Sequence, residues 1–337
     1  MRAIVYDRTG GPEVLRLVDR PVPDVGAGEV RVRISVSAVN PTDWKARARD
    51  GGEDLARPQV PNQDGAGTVD AVGDGVIGLA PGDRVWVWDA AWQRSEGTAQ
   101  ELTVLPARQV VALPDAVSFD VGASLGIPAL TAHRALTSHE GVPRQLRPGA
   151  LTGRTVLVTG GAGAVGHAAI QLARWAGADV VATVSSEAKA VLARAAGAAT
   201  TIDYTREDVA TRLRTAFPAG ADIVVDVDGP RNIAASLAAV ADEGTIAVYA
   251  TAGLDDLVVP AGRAMTRNVR VQFVLTYTVG RADKDAAVAA VAAAAADGAM
   301  EVGEAHGLPL HRFPLAETTA AHRAVEEGAV GKVLIDL

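Results

Sequence analysis

The sequence predicts an α/β protein with two bodies, one β-rich and one built on a doubly wound parallel sheet. Three observations carry this. The chain has 337 residues, beyond the size at which a single core usually keeps growing. Residues 1–124 show short period-2 apolar segments separated by Gly and Pro. From Thr155 onward, strand-like and helix-like segments alternate, which is the order of a parallel sheet wound by helices.

In the first body, Val30–Val36 reads Val-Arg-Val-Arg-Ile-Ser-Val, the alternation of a half-exposed strand. Val69–Val72 and Val85–Trp88 are further short strands. Pro21, Pro23, Gly26, Gly28, Gly73, Gly75, Pro81 and Gly82 punctuate them. Many short strands at close spacing predict a curled antiparallel sheet or barrel.

In the second body, Val156–Thr159 is a compact apolar run suited to a buried parallel strand. Val165–Ala176 reads as a helix, Asp179–Val184 as a strand, Glu187–Ala196 as a helix and Thr201-Ile202 as a short strand. Asp222–Val227, Thr245–Tyr249 and Val269–Val274 repeat the theme, with a helix over Arg231–Ala241. The stretch His139–Gly153, rich in Pro, Gly and Arg, reads as a surface loop. The Ala-rich run Ala286–Ala296 lies between Asp283-Lys284-Asp285 and Asp297-Gly298, which predicts a packed helix rather than a membrane span. The tail Lys332–Leu337 reads as a strand without a place in the parallel sheet. It is expected to return to the first body, making the second an insertion and leaving a ligand cleft between the two.

Composition narrows the chemistry. Hydrophobic residues make up 48% and charged residues 21%, which is ordinary for a globular chain. The net charge of -8 argues against nucleic acid or anionic membranes as partners. There is no cysteine, which excludes disulfides, thiolate zinc sites, iron–sulfur clusters and a cysteine nucleophile. The six histidines show no i, i+4 pair. Met1–Tyr6 is strand-like rather than a signal peptide, so the expected location is the cytoplasm.

Gly160, Gly163 and Gly166 stand directly after one predicted strand and directly before a helix, in a glycine-rich turn that also holds Ala164 and Val165. Such glycines let the backbone turn tightly and approach a pyrophosphate, and the helix N-terminus offers amides and partial positive charge. In context this is a dinucleotide-binding turn. The second strand then ends Thr183-Val184-Ser185-Ser186, without the acid that holds an NAD ribose hydroxyl. Ser185, Ser186, Lys189 and Tyr204 could instead meet a 2′-phosphate, so the expected cofactor is NADPH.

The residues also resemble a known family, the zinc-free quinone oxidoreductase (zeta-crystallin-like) branch of the medium-chain dehydrogenase/reductases. The likeness runs almost end to end. It rests on Val39-Asn40-Pro41-Thr42-Asp43, Asp64-Gly65-Ala66-Gly67, Pro81-Gly82-Asp83-Arg84-Val85, Gly126-Ile127-Pro128-Ala129-Leu130-Thr131-Ala132, the glycine turn and Gly331-Lys332. The resemblance implies a GroES-like β-barrel domain from residues 1–124 and 268–337, a Rossmann domain from 125–267, and a homodimer paired through Val269–Val274. It implies that Asn40 and Thr131 lie near the nicotinamide, with no certain acid or base. Ser186, Lys189 and Tyr204 match its 2′-phosphate positions. Tyr249, Ala250, Phe273 and Leu275 would pass the nicotinamide, and Lys332 would reach the cofactor. Arg323 is an unaligned substitute for an arginine some relatives add. Asn40 and Gln63 occupy the positions of the cysteine and histidine that hold zinc in related enzymes, so no metal is expected.

Without that Lewis acid, the implied reaction is hydride transfer from NADPH to a quinone or α,β-unsaturated carbonyl. Asn40, Trp44, Trp88, Trp92, His133 and Tyr277 are the candidates for the substrate side, since aromatic walls stack on planar acceptors. Asp43 and Asp64 read as loop-fixing residues. Two alternatives stay open: a dedicated biosynthetic enoyl reductase or reductive cyclase on a conjugated natural product, and a non-catalytic NADPH-binding sensor or structural protein.

Overall fold

A computed structural model describes residues 1–49, 51–251, 253 and 256–337. The chain forms two compact units, Met1–Ile127 with Pro309–Leu337, and Pro128–Leu308.

The first unit opens with β1 (Arg2–Arg8), β2 (Arg16–Asp19), β3 (Glu29–Val39), helix α1 (Pro41–Ala48), β4 (Asp54–Gln59), β5 (Asp64–Val72), β6 (Arg84–Val87), β7 (Leu102–Pro106) and β8 (Val110–Ala112). Helix α2 (Phe119–Leu136) carries the chain past Ile127. β3 buries Val30, Val32 and Ile34 while Arg33 between them stays exposed, as its period-2 pattern requires.

The second unit contains β9 (Thr155–Val158), α3 (Ala164–Trp175), β10 (Asp179–Val184), α4 (Glu187–Ala196), β11 (Thr200–Asp203), α5 (Val209–Ala216), β12 (Ala221–Asp226), α6 (Gly229–Ala239), β13 (Val240–Val248), α7 (Ala261–Met265), β14 (Arg270–Phe273) and α8 (Arg281–Ala296). Among the described residues, its sheet has the order β11-β10-β9-β12-β13-β14, with every neighbour parallel. All four β9 residues are buried, the signature of a strand covered on both faces.

The chain then returns to the first unit through β15 (Leu310–Pro314), α9 (Thr318–Glu326) and β16 (Lys332–Asp336). β16 pairs antiparallel with β3, Val333 opposite Val39, so the tail strand does rejoin the β-rich body. Its sheet runs β15-β16-β3-β5-β6-β8, with β7 also paired to β3.

Three expectations are corrected. The second boundary falls at Leu308/Pro309, not at residue 268, because β14 extends the parallel sheet and α8 packs on α3. β13 starts at Val240 rather than Thr245. A bulge and Glu243 at φ 58° interrupt its register, and Asp242-Glu243-Gly244 looks like a turn in sequence. The 139–153 segment is not a loose surface loop. Leu146 and Leu151 are fully buried, and His139 Nδ1 lies 3.1 Å from Thr245 Oγ1.

Candidate functional site

The glycine turn is built for close approach. Gly160 sits at φ +67°, a left-handed conformation that favours glycine. A Cβ on Gly166 would lie 2.4 Å from the Gly160 carbonyl oxygen, and one on Gly161 would lie 2.7 Å from Ala182 Cβ. Side chains here would push α3 off β9 and β10. The Gly161 amide donates to the Thr183 carbonyl at 3.0 Å, tying the turn to the second strand. Gly163 caps α3, and Ala164, Val165 and Gly166 form its first turn, whose amides have no intrahelical acceptor.

Beside the turn is a pocket of about 480 Å³ lined by Gly160, Thr183, Tyr204, Val227, Arg231 and Asn232, among others. Its rear wall is fixed by the fully buried Asp226. That carboxylate accepts hydrogen bonds from Thr159 Oγ1, the Asp228 amide, Asn232 Nδ2 and Ser236 Oγ. Sequence reading missed Asp226, Thr183, Arg231 and Asn232. The signal was available in Asp226-Val227-Asp228-Gly229-Pro230, a strand end followed by a helix start with Pro in its first turn.

At the end of β10, Lys189 Nζ donates to Ser185 Oγ at 3.0 Å, and Ser186 Oγ caps α4 by accepting the Lys189 amide at 3.3 Å. The Tyr204 amide donates to the Val184 carbonyl at 3.1 Å, which brings the half-exposed tyrosine to the same edge. Ser185, Ser186, Lys189 and Tyr204 thus share the carboxyl ends of β10 and β11. Glu207 and Asp208 also line the pocket. Their carboxylates are occupied locally, Glu207 by Arg212 and the Asp203 amide, Asp208 by the Thr211 amide. Those contacts hold both below the usual carboxylate range.

The remaining expected residues scatter. Phe273 and Leu275 are exposed at the sheet edge. Tyr249 is half-buried, its amide on the Asp226 carbonyl, and burial pushes its phenol far up. Ala250 accepts the Gly229 amide at 3.4 Å. Thr131 is buried in α2. Trp44, Trp92 and Tyr277 are half-buried, Trp44 with the Lys45 ammonium 5.8 Å from its ring centroid. Arg323 is exposed on α9.

Two expected substrate-side residues, Trp88 and His133, are corrected. Trp88 is 3% exposed, with the Arg108 guanidinium over its ring, so it offers no face for stacking. His133 is 1% exposed, its Nε2 accepting the Leu146 amide, and burial pushes its imidazole down to about 4. Lys332 is buried in the first unit, where its ammonium bonds Asn40 Oδ1 at 2.6 Å and Val39 O at 3.4 Å.

Asn40 and Lys332 belong to a buried polar cluster in that unit. Asn40 Nδ2 donates to Asp64 Oδ2 at 2.8 Å, and the Asn40 amide donates to Asp43 Oδ2 at 2.6 Å. Gln63 Oε1 accepts the Ala91 amide at 3.0 Å.

Comparison with known proteins bears on both units. Residues 26–115 match the alcohol dehydrogenase GroES-like domain family, and residues 164–302 match the zinc-binding dehydrogenase family. The chain is 32% identical over 255 residues to the quinone oxidoreductase of Rattus norvegicus, covering 75% of this chain and 74% of that protein. The chain belongs to the quinone oxidoreductase family of medium-chain dehydrogenase/reductases. Among solved structures, this family member is similar to mycobacterial Rv1454c complexed with NADPH, at 33% identity, TM-score 0.81 and full coverage of both chains. It is also similar to a protein described as an NAD-dependent alcohol dehydrogenase, at 31% identity, TM-score 0.86 and full coverage of both. The two units are therefore a GroES-like domain and a Rossmann domain. No helix among the described residues is long and apolar enough to cross a membrane.

Proposed function

We propose that the protein is an NADPH-dependent reductase that delivers hydride, without zinc, to a quinone or another α,β-unsaturated carbonyl acceptor. The observation that carries this reading is the end of β10, where Lys189 sits against Ser185 with Tyr204 nearby, and where β10 itself runs out into Ser185-Ser186 rather than a carboxylate. A cationic, hydroxyl-lined edge suits a 2′-phosphate, which a strand-end Asp or Glu would repel. The likeness to an NADPH complex and to quinone oxidoreductases supports it.

The site fits that cofactor. The Gly160–Gly166 turn is closed to side chains, and the α3 amides are placed to receive a pyrophosphate. Tyr204 and Arg231 wall the neighbouring pocket. Bound NADPH supplies the hydride. The chain's residues bind and orient it, Ser185, Ser186 and Lys189 at the phosphate and Thr131 at the nicotinamide.

Zinc independence rests on this chain's own residues. There is no cysteine, and the position of the first family ligand is Asn40, whose Oδ1 is 2.6 Å from the Lys332 ammonium. A divalent cation there would face that buried positive charge. Without such a Lewis acid, an acceptor whose charge spreads over a conjugated system needs less polarisation than a simple ketone.

We further propose a homodimer joined at β14. That strand is the sheet edge, with Phe273 62% exposed just before Leu275 at 51%. Gln272→Pro should give a monomer by light scattering; an unchanged dimer would exclude this edge.

The test is an activity screen with NADPH and NADH over quinones and enones, and with NADP+ and NAD+ over simple alcohols. The alcohol dehydrogenase likeness favours a second reading, NAD-linked oxidation of an alcohol. Preference for secondary alcohols with NAD would establish that reading and sink the first.

A further inference from the structure

The pocket beside the glycine turn lies wholly in the Rossmann unit, and its chemistry is opposite to that of the phosphate edge. Thr183 and Tyr204 join it to that edge, and Gly160 joins it to the pyrophosphate turn. Its other polar lining is rich in acceptors, with Glu207, Asp208 and Asp228 beside Asn232 and Ser236. The cation in the lining, Arg231, stands 3.4 Å from the Asp228 carboxylate. Leu157, Val209 and Val227 supply apolar wall. Such a lining suits a flat, uncharged ring that carries N–H donors, and it repels a phosphate. In NADPH the ribose that bears the 2′-phosphate also bears the adenine. A phosphate at Ser185, Ser186 and Lys189 therefore brings the base to this pocket.

Asn232 is half-buried near the start of α6, and its hydrogen bonding is set in advance. Its Nδ2 donates to Asp226 Oδ1 at 2.8 Å. Among the described residues no other group bonds its carboxamide, which leaves one N–H and the oxygen for an occupant of the pocket. Asp226 is fully buried and takes donors on both oxygens. Thr159 Oγ1 and the Asp228 amide join Asn232 on Oδ1, and Ser236 Oγ donates to Oδ2 at 2.7 Å. A flipped Asn232 would set its oxygen against a carboxylate oxygen, so one polarity is enforced. Tying β12 to α6 uses only one side of this carboxamide. The unused side is the part that a purely structural role does not explain.

We propose that Asn232 is the residue that selects adenine, with Asp226 as its positioning residue. The proposal rests on the reading of Ser185, Ser186 and Lys189 as the 2′-phosphate site. A free amide oxygen and N–H match an amino group beside a bare ring nitrogen, the pair adenine presents on both edges at N6. Hypoxanthine has a carbonyl at that position, beside an N–H on one edge and a bare nitrogen on the other. A freely turning amide could match the first of these. One held by Asp226 matches neither.

The test is a fluorescence titration of the full-length protein with NADPH and with reduced nicotinamide hypoxanthine dinucleotide phosphate. The two ligands share phosphates, riboses and nicotinamide and differ only in the purine. Wild type should bind NADPH about 10-fold more tightly, the worth of a matched hydrogen bond against an oxygen–oxygen contact. Asn232→Leu should weaken NADPH by about that factor and leave the analogue within about twofold, closing the gap. Its preference for NADPH over NADH should stay at the wild-type value, because both carry adenine. Asp226→Asn can offer Asn232 either an N–H or an oxygen, which lets the amide turn. That variant should shrink the gap to about threefold or less. A ratio of two affinities is insensitive to a general loss of stability, so a merely structural Asp226 would leave it unchanged.

Equal affinity of wild type for the two ligands would overturn the proposal and leave the phosphate site standing. A gap that persists in Asn232→Leu would also overturn it, as would a loss of NADPH-over-NADH preference in that variant, which would place Asn232 at the phosphate. A full gap in Asp226→Asn would remove Asp226 from the recognition. Asn232→Ala gives the same reading should Asn232→Leu not fold. Wild type that binds NADPH no better than NADH would refute the phosphate reading, and the proposal with it.

Discussion

Gly166→Ala should both destabilise the Rossmann unit and weaken cofactor binding. An ideal Cβ at this position lies 2.4 Å from the Gly160 carbonyl oxygen and 3.1 Å from both the Gly160 carbonyl carbon and Gly161 Cα. The closest of these is about 1 Å inside ordinary contact. All three neighbours are backbone, so no side chain can rotate away. Either α3 shifts or the Gly160 peptide turns. Overpacking of this kind costs about 1–3 kcal/mol. Taking about 2 kcal/mol, the unit should melt about 4–8 °C lower. The same shift carries the α3 amides off the pyrophosphate. Losing one hydrogen bond to a charged group is worth about 1.5–3 kcal/mol, or about 10- to 100-fold in NADPH affinity. Thermal unfolding without cofactor and an NADPH fluorescence titration measure the two effects. Gly163→Ala is the control, because its Cβ would meet the Gly160 oxygen at 3.4 Å, an ordinary contact. It should leave the melting temperature unchanged. A Gly166→Ala protein with wild-type melting and wild-type NADPH affinity would refute the tight-turn argument.

Lys189→Ala should raise the NADPH dissociation constant roughly 5- to 30-fold, the loss of one phosphate contact, and leave NADH unaffected; an equal effect on both cofactors would remove Lys189 from the phosphate site. Asp226→Ala strands the donors of Thr159, Asn232 and Ser236 and should cost about 3 kcal/mol in urea unfolding. A loss below about 1 kcal/mol would contradict the proposed rear wall. Burial holds four histidines, His133, His139, His167 and His322, below their usual range, so each weakens the fold in acid. Burial pushes His133 and His167 down to about 4 and His322 to about 3. Each folded pKa is below the unfolded value, so each contribution is present above pH 6.5 and lost as pH falls toward 4. Between pH 7 and pH 5 each should cost about 2 kcal/mol. His322→Gln should therefore remove about 2 kcal/mol of acid destabilisation between pH 7 and pH 5, read from urea midpoints; an unchanged pH slope would refute it.

Much of the Rossmann unit was legible because its signals are local. Asp179–Val184 and Glu187–Ala196 were read to the residue, since a compact β run, the Ser186 cap and Gly197 after the helix mark their ends. The glycine turn was legible for the same reason: strand, turn and helix stand within one short stretch. Ser185 and Lys189 are four apart and meet across the first turn of α4, as residues at that spacing do. Trp88 and His133 were misread because their types suit a substrate wall equally well and a core equally well. Burial is set by elements far away in sequence, such as Gln109 on the Trp88 carbonyl and Leu146 on His133.

Composition and local pattern were enough to establish the dinucleotide turn, the absence of thiolate chemistry and the alternation of strand and helix. Each depends on residues within one or two turns of one another. Only the tertiary structure brought Asp226 behind the pocket, moved the second boundary to Leu308, and set Lys332 against Asn40 across 292 positions of chain. Those arrangements depend on sheet pairing at long range. A strand's partner is chosen by the packing and hydrogen bonding of the whole sheet, which no short window of sequence contains.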